Sequence, residues 1–236
     1  MVEDNLKRIL EELPPEVKLV AVSKFHPSEE ILEVYRAGQR RFGENRPQEF
    51  SAKVRELPDD IEWHFIGHLQ TNKLKYVLPY ASLVESIDSL HLLDAVEKWG
   101  REHDKVIDVL LELHLGAEET KGGFTQDEIE AILSRSLSGV EGSGVEGSGT
   151  EGSGAEGFSH VRFRGLMGMA TNTDDMAVVE ADFARIESFK RSLEDRFDLP
   201  DFTELSIGMS HDWPLAVKHG ATIVRIGTAI FGPRVY

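Results

Sequence analysis

The sequence predicts an α/β fold, a single (β/α)8 TIM barrel. Three observations predict it. Eight short strand-like runs, most of them apolar, recur along 236 residues. Segments of helical spacing separate them, and alternation of this kind implies a parallel sheet. No GxGxxG motif closes any of the strands, which weakens the runner-up, an open doubly wound sheet binding a dinucleotide. Eight units in this length favour a closed barrel.

The elements follow in order. An extra helix over about 2–12 precedes the repeat and is expected to close the lower face of the barrel. VKLVAVSK (17–24) is the first strand; Ser28 is placed to cap the next helix, which Gly38 stops. A short strand ends at Asn45, and Pro47 suits the first turn of a helix. EWHFIGH (62–68) and LVESID (83–88) are the third and fourth strands, with a helical stretch after Gln70 between them. Leu90, Leu93, Val96 and Trp99 give 89–103 a helical stripe. KVIDVLLELHL (105–115) reads as a buried strand, followed by a helix over 125–136. RFRGLMGMA (162–170), ELSIGMS (204–210) and TIVRIGTAIFG (222–232) complete the strands, separated by helices over about 175–196 and 212–219. Pro214 falls in the first turn of the latter, where a missing N–H costs little.

One segment breaks the pattern. Residues 138–157 read SGVEGSGVEGSGTEGSGAEG, which holds 8 of the 21 glycines and no base. It cannot bury enough apolar surface to offset its ordering entropy, so a flexible loop is expected, emerging at the lower face. The whole chain, 1–236, is expected to be one barrel domain interrupted by this Gly/Ser/Glu repeat.

Charge and composition exclude several classes. The net charge of −16 opposes a broad nucleic-acid contact, although a local pocket for one small anion remains allowed. The absence of cysteine removes disulfides, thiolate metal sites and a cysteine nucleophile. The first 17 residues are charged throughout and carry no signal-peptide core. No run approaches the ~18 apolar residues of a membrane span. A cytoplasmic protein is expected.

In a barrel the site lies at the carboxyl ends of the strands. Those ends present Ser23-Lys24, Glu44-Asn45, His64 and His68, Ser86 to Asp88, Met167 and Met169, Ser210 to Asp212, and Arg225 with Gly227-Thr228. Lys24 ends an apolar strand, where partial desolvation would make its amine nucleophilic; a solvated boundary lysine is the alternative. Ser210 ends the seventh strand and Gly227-Thr228 lie on the eighth, and barrels often bind phosphate with the loops after these two strands; tight internal packing would equally explain the glycine. Arg225 shares a face with Gly227 and needs an acceptor, either a carboxylate such as Glu44 or a ligand atom. His64 and His68 share one strand face without further ligands, so no metal site is expected. Met167 and Met169 read as core or pocket walls. No G-x-S-x-G follows a strand, which excludes a serine hydrolase of that type.

VAVSK (20–24), FGEN (42–45), WHFIGHLQTNK (63–73), KGGF (121–124), RGLMGMAT (164–171), SIGMS (206–210) with Asp212, and VRIGTAIFG (224–232) occur together and in order. This set resembles the pyridoxal phosphate homeostasis protein family over about 15–232, apart from the repeat. SIGMS carries isoleucine where the family often has methionine, an apolar exchange that leaves the phosphate donors alone. The resemblance implies a barrel like the N-terminal domain of alanine racemase. It implies pyridoxal 5′-phosphate held as a Schiff base on Lys24. Its phosphate would lie on Ser210, Gly227 and Thr228, with Asn45 lining the pocket and Arg225 facing the pyridine nitrogen. An arginine there disfavours ring protonation and weakens the ring as an electron sink.

The family is thought to keep the reactive cofactor at safe levels, with effects on amino-acid and keto-acid metabolism, and its members are not established enzymes. No catalytic residue is therefore expected. The sequence ends at Tyr236, four residues past the last strand, so the second domain that supplies a tyrosine in alanine racemases is not expected. The enzyme-class alternative is an amino-acid racemase or related weak enzyme. A third is a scaffold with an incidental cofactor. The implied partners are the cofactor itself and apo pyridoxal-phosphate enzymes as recipients, with no nucleic acid and no membrane; a monomer is expected.

Overall fold

The computed structural model describes residues 2–116, 122–138 and 157–233. Save for its first and last residues, the repeat over 138–157 lies outside them, and so does Lys121 of KGGF. Eight parallel strands close into a barrel in sequence order: β1 (Lys18–Val22), β2 (Arg41–Glu44), β3 (Glu62–Phe65), β4 (Leu83–Ile87), β5 (Ile107–Leu113), β6 (Val161–Gly168), β7 (Glu204–Ser206) and β8 (Ile223–Ile226). Closure is made by β8 on β1, in register from Lys18 with Ile223 to Ala21 with Ile226. The open-sheet alternative is thereby excluded.

The helices are α1 (Val2–Glu12), α2 (Ser28–Arg36), α3 (Pro47–Glu56), α4 (Leu74–Val77, entered through a 3-10 turn over Thr71–Lys73), α5 (Leu90–Glu102), α6 (Gln126–Ser138), α7 (Met176–Arg196), α8 (Trp213–Lys218) and α9 (Thr228–Phe231). Local chemistry sets their starts. Ser89 Oγ accepts from Leu92 N, and the Asp175 carboxylate accepts from Ala177 N. Pro47 and Pro214 occupy first turns. Ser28 does not cap α2: it is the first helical residue, Pro27 in extended backbone precedes it, and its hydroxyl donates to Glu56 instead.

Two further expectations change. TIVRIGTAIFG is not one strand, because β8 stops at Ile226 and the apolar residues after Gly227 turn into α9. The extra helix α1 does not lie across the lower face. It packs in the outer ring against α2 and α9, where Asn5 Nδ2 donates to the Ile230 carbonyl at 3.0 Å. Its stripe of Leu6 and Ile9 is buried there.

Strand alternation divides the core in two. Outward-facing residues such as Leu19, Ala21, Phe42, Phe65, Val84 and Val109 join one large apolar layer with the helices. Inside the barrel, Val20, Leu83, Leu110, Met167 and Ile223 form a separate plug. Each fully buried side chain of this kind contributes about 1.5–3 kcal/mol. Above the plug the lumen turns polar, with His64, Glu85, Glu112, Ser206 and Arg225 all buried. Among the described residues, no helix is long and apolar enough to cross a membrane.

Candidate functional site

The six candidate residues gather at the carboxyl ends of four consecutive strands, β7, β8, β1 and β2. Alternation carries Val20 and Val22 on to Lys24, Gly43 on to Asn45, and Ile223 on to Arg225 and Gly227, all toward the lumen or its mouth. Lys24 is half-buried just beyond β1, and Thr228 is exposed at the rim. Ser210 does not end β7 as expected. The strand stops at Ser206, and Ser210 sits in the turn that leads to α8.

That turn places Ser210 Oγ against the start of α9, where it accepts from Gly227 N at 3.3 Å and Ala229 N at 3.4 Å. Two backbone N–H groups and a hydroxyl that retains its own proton thus converge on one point, a donor set suited to a phosphate. Gly227 is also crowded from behind: a Cβ there would stand 3.2 Å from the Val22 carbonyl oxygen. Across the mouth, Asn45 Oδ1 is buried without a hydrogen-bond partner among the described residues. A buried amide oxygen in that state suits a ligand donor.

Arg225 lies deeper. It does not reach Glu44. Nη1 donates to the Ser206 carbonyl at 2.8 Å and to its hydroxyl, and Nη2 donates to the Gly168 carbonyl at 2.9 Å. The Glu85 carboxylate stands 3.6 Å from Nη1 and accepts from Ser206 Oγ. Its other oxygen meets His64 Nδ1 at 2.6 Å. Burial pushes the Glu85 carboxyl up, but His64, Arg225 and Ser206 together outweigh burial and hold it below the ordinary carboxylate range. Glu112, on the far side of the lumen, goes the other way: burial and the Asp88 charge raise it.

Glu44 faces outward, under α3. Burial raises its carboxyl, against the pull of the Lys53 ammonium and the Ser23 hydroxyl that bond to it. His64 and His68 do not share a face either. His64 is inside the barrel on Glu85, whereas His68 lies past the end of β3, exposed, with Nδ1 on Asp88 at 2.8 Å. Met167 belongs to the plug, and Met169 lines an open cleft of about 540 Å3 with Thr171, Met176, Met209 and His211 beside Ser210. Sequence reasoning missed Glu85, Ser206 and His64 as the support of Arg225. A glutamate in the middle of the apolar run LVESI was the available signal.

Comparison with known proteins places the chain in a family. The family model for the N-terminal domain of alanine racemase matches residues 1–235. The pyridoxal phosphate homeostasis protein of Aquifex aeolicus is 37% identical over 220 residues, covering 93% of this chain and 88% of that protein. PipY of Synechococcus elongatus PCC7942, solved without PLP, superposes with a TM-score of 0.86 at 36% identity, covering 98% of this chain and all of that one. Its structure with PLP bound gives a TM-score of 0.83 at 35% identity, again over 98% of this chain and all of that one. Alanine racemase of Corynebacterium glutamicum, at 16% identity and a TM-score of 0.68, shares the fold; the match covers 97% of this chain and 59% of that one. The chain belongs to the alanine racemase N-terminal-domain family and, within it, to the pyridoxal phosphate homeostasis proteins.

Proposed function

We propose that this chain is a cytoplasmic, monomeric, one-domain carrier of pyridoxal 5′-phosphate that anchors the cofactor on Lys24 and keeps its free level low. The observation that carries the reading is the convergence of Ser210 Oγ with the N–H groups of Gly227 and Ala229 on the rim shared with Lys24 and Asn45. PipY, with PLP bound, is 35% identical over nearly the whole chain. When bound, the cofactor supplies an aldehyde that condenses reversibly with amines and a ring that withdraws electrons.

The residues divide the work. Ser210 and the two N–H groups hold the phosphate, and exposed Thr228 closes that end. Lys24 would provide the amine that fixes the ring end. The Asn45 amide satisfies its buried oxygen on a ligand donor. Arg225 is permanently charged and held by Ser206, Gly168 and Glu85, so it would present a fixed guanidinium toward the pyridine nitrogen. A guanidinium there opposes protonation of the ring and lowers its power to stabilise negative charge. Lys24 can move a proton on one face only. Such a site retains its ligand and gives it up to apo-enzymes that need it, with the consequent effects on amino-acid and keto-acid metabolism.

Incubating the loaded protein with single L-amino acids and following optical rotation tests this reading. No inversion is expected over hours at micromolar protein. Inversion that disappears in Lys24→Ala would replace the carrier with a racemase.

A further inference from the structure

Lys24 follows β1 outside any regular element, so its direction depends on the two peptide units that flank it. Both are tied to α3. Lys53 Nζ donates to the Ser23 carbonyl at 2.9 Å, and that carbonyl belongs to the peptide entering Lys24. Glu49 Oε1 accepts from Phe25 N at 2.8 Å, and that N–H belongs to the peptide leaving Lys24. Lys53 and Glu49 are one helical turn apart and bond to each other at 2.7 Å. The same ammonium donates to Glu44 Oε1 at 2.8 Å, which also accepts from Ser23 Oγ at 2.6 Å. One buried cation therefore ties the end of β1 to the end of β2, beside Asn45.

The arrangement is costly for a purely structural contact. The side chains of Lys53 and Glu44 are 7% and 0% exposed, and buried ion pairs seldom stabilise more than apolar residues of the same volume. What charges add is direction. Phe25 has φ of +70°, a left-handed conformation that costs a non-glycine residue about 1–2 kcal/mol. Such strain persists only where the surroundings over-determine it. Here the Glu49 hydrogen bond does so, with the Arg46 guanidinium 4.4 Å over the Phe25 ring.

We propose that Lys53 and Glu49 are positioning residues for the Lys24 anchor: from the helix layer outside the barrel they fix both peptide planes that aim its amine at the ligand aldehyde. The inference rests on the reading of Lys24 given above. Its action would be confined to the bond that Lys24 makes, in which the amine nitrogen joins the aldehyde carbon and one water leaves. Phosphate binding at Ser210 and Gly227 is independent of it.

Two ligands separate the effects. Pyridoxal 5′-phosphate can condense with Lys24, whereas pyridoxine 5′-phosphate has the same ring and phosphate but an alcohol in place of the aldehyde. Equilibrium dialysis of both is compared for wild type, Glu49→Ala, Glu49→Gln and Lys53→Met. Glu49 is at the rim, and Glu49→Gln keeps an acceptor for Phe25 N. Glu49→Ala is expected to lose on the order of 10-fold in affinity for the aldehyde and less than about 2-fold for the alcohol. Glu49→Gln is expected to stay within about 2-fold of wild type for both. Lys53→Met, read only if its thermal midpoint shows it folded, should follow Glu49→Ala. Equal losses for both ligands, or none for the aldehyde, would overturn the inference. A wild type that binds the two ligands equally would instead overturn the reading of Lys24, and the positioning role with it.

Discussion

Glu85 and Arg225 meet at 3.6 Å inside the barrel, with the Ser206 hydroxyl bonded to both. Neither is exposed, and His64 closes the other side of the carboxylate. The pair is the floor of the candidate site, and its charge state determines how Arg225 is held.

Glu85→Gln should therefore destabilise the protein at neutral pH by on the order of 3 kcal/mol, the usual cost of breaking a buried pair. The sign with pH follows from the lowered carboxyl. Its stabilisation is fully present above the ordinary carboxylate value and is lost as pH falls through the folded one. Urea midpoints from pH 8 to pH 3 should show wild type and variant converging at the acid end. Parallel curves would contradict the pairing.

Glu112→Gln should act in the opposite direction. Burial, with the Asp88 charge, raises this carboxyl, so the folded protein binds the proton more tightly than the unfolded chain does. Stability then falls as pH rises from the ordinary carboxylate value through the folded one, above which the ionised form carries the full penalty. The variant lacks that penalty. Its Tm should exceed wild type by on the order of 2 °C at pH 8, and the gap should close below the ordinary carboxylate range.

Ser210→Ala removes the hydroxyl from the point where Gly227 N and Ala229 N converge. Affinity for inorganic phosphate, read by calorimetry, should fall on the order of 10-fold, the equivalent of one hydrogen bond to a charged group. Unchanged phosphate affinity would move the anion site elsewhere.

Gly67→Ala tests the other rim. A Cβ at this position would lie 2.3 Å from the Asn45 carbonyl oxygen and 2.6 Å from its Cα. Backbone cannot yield as a side chain end can, so Asn45 must shift. Pyridoxal-phosphate affinity should drop by roughly 10-fold or more, as an ångström of displacement costs in other sites. The thermal midpoint should fall as well, in line with about 1–3 kcal/mol for overpacking.

Much of the fold was legible because its signals are local. Apolar runs marked the strands, while Pro47 and Pro214 marked helix starts. The end of β8 was not legible: Ile226, Ala229, Ile230 and Phe231 continue an apolar run, and Gly227 alone marks the change to α9. Nor was the place of α1, whose amphipathic stripe fits a barrel end as well as the outer ring. The candidate site residues came from strand ends and family motifs, but the partner of Arg225 did not. Asn45 facing the mouth already implied, by alternation, that Glu44 turns outward. Which inward carboxylate then meets Arg225 depends on how β4 and β8 face each other across the lumen, a relation that no local pattern encodes.

The central claim is that Lys24 anchors pyridoxal 5′-phosphate. The most direct test is to mix the two, reduce with borohydride, and map the modified peptide by mass spectrometry in wild type and Lys24→Ala. The account predicts a long-wavelength absorbance band in wild type, a stable adduct on Lys24, and neither in the variant. An adduct on another lysine, or equal trapping in Lys24→Ala, would contradict it.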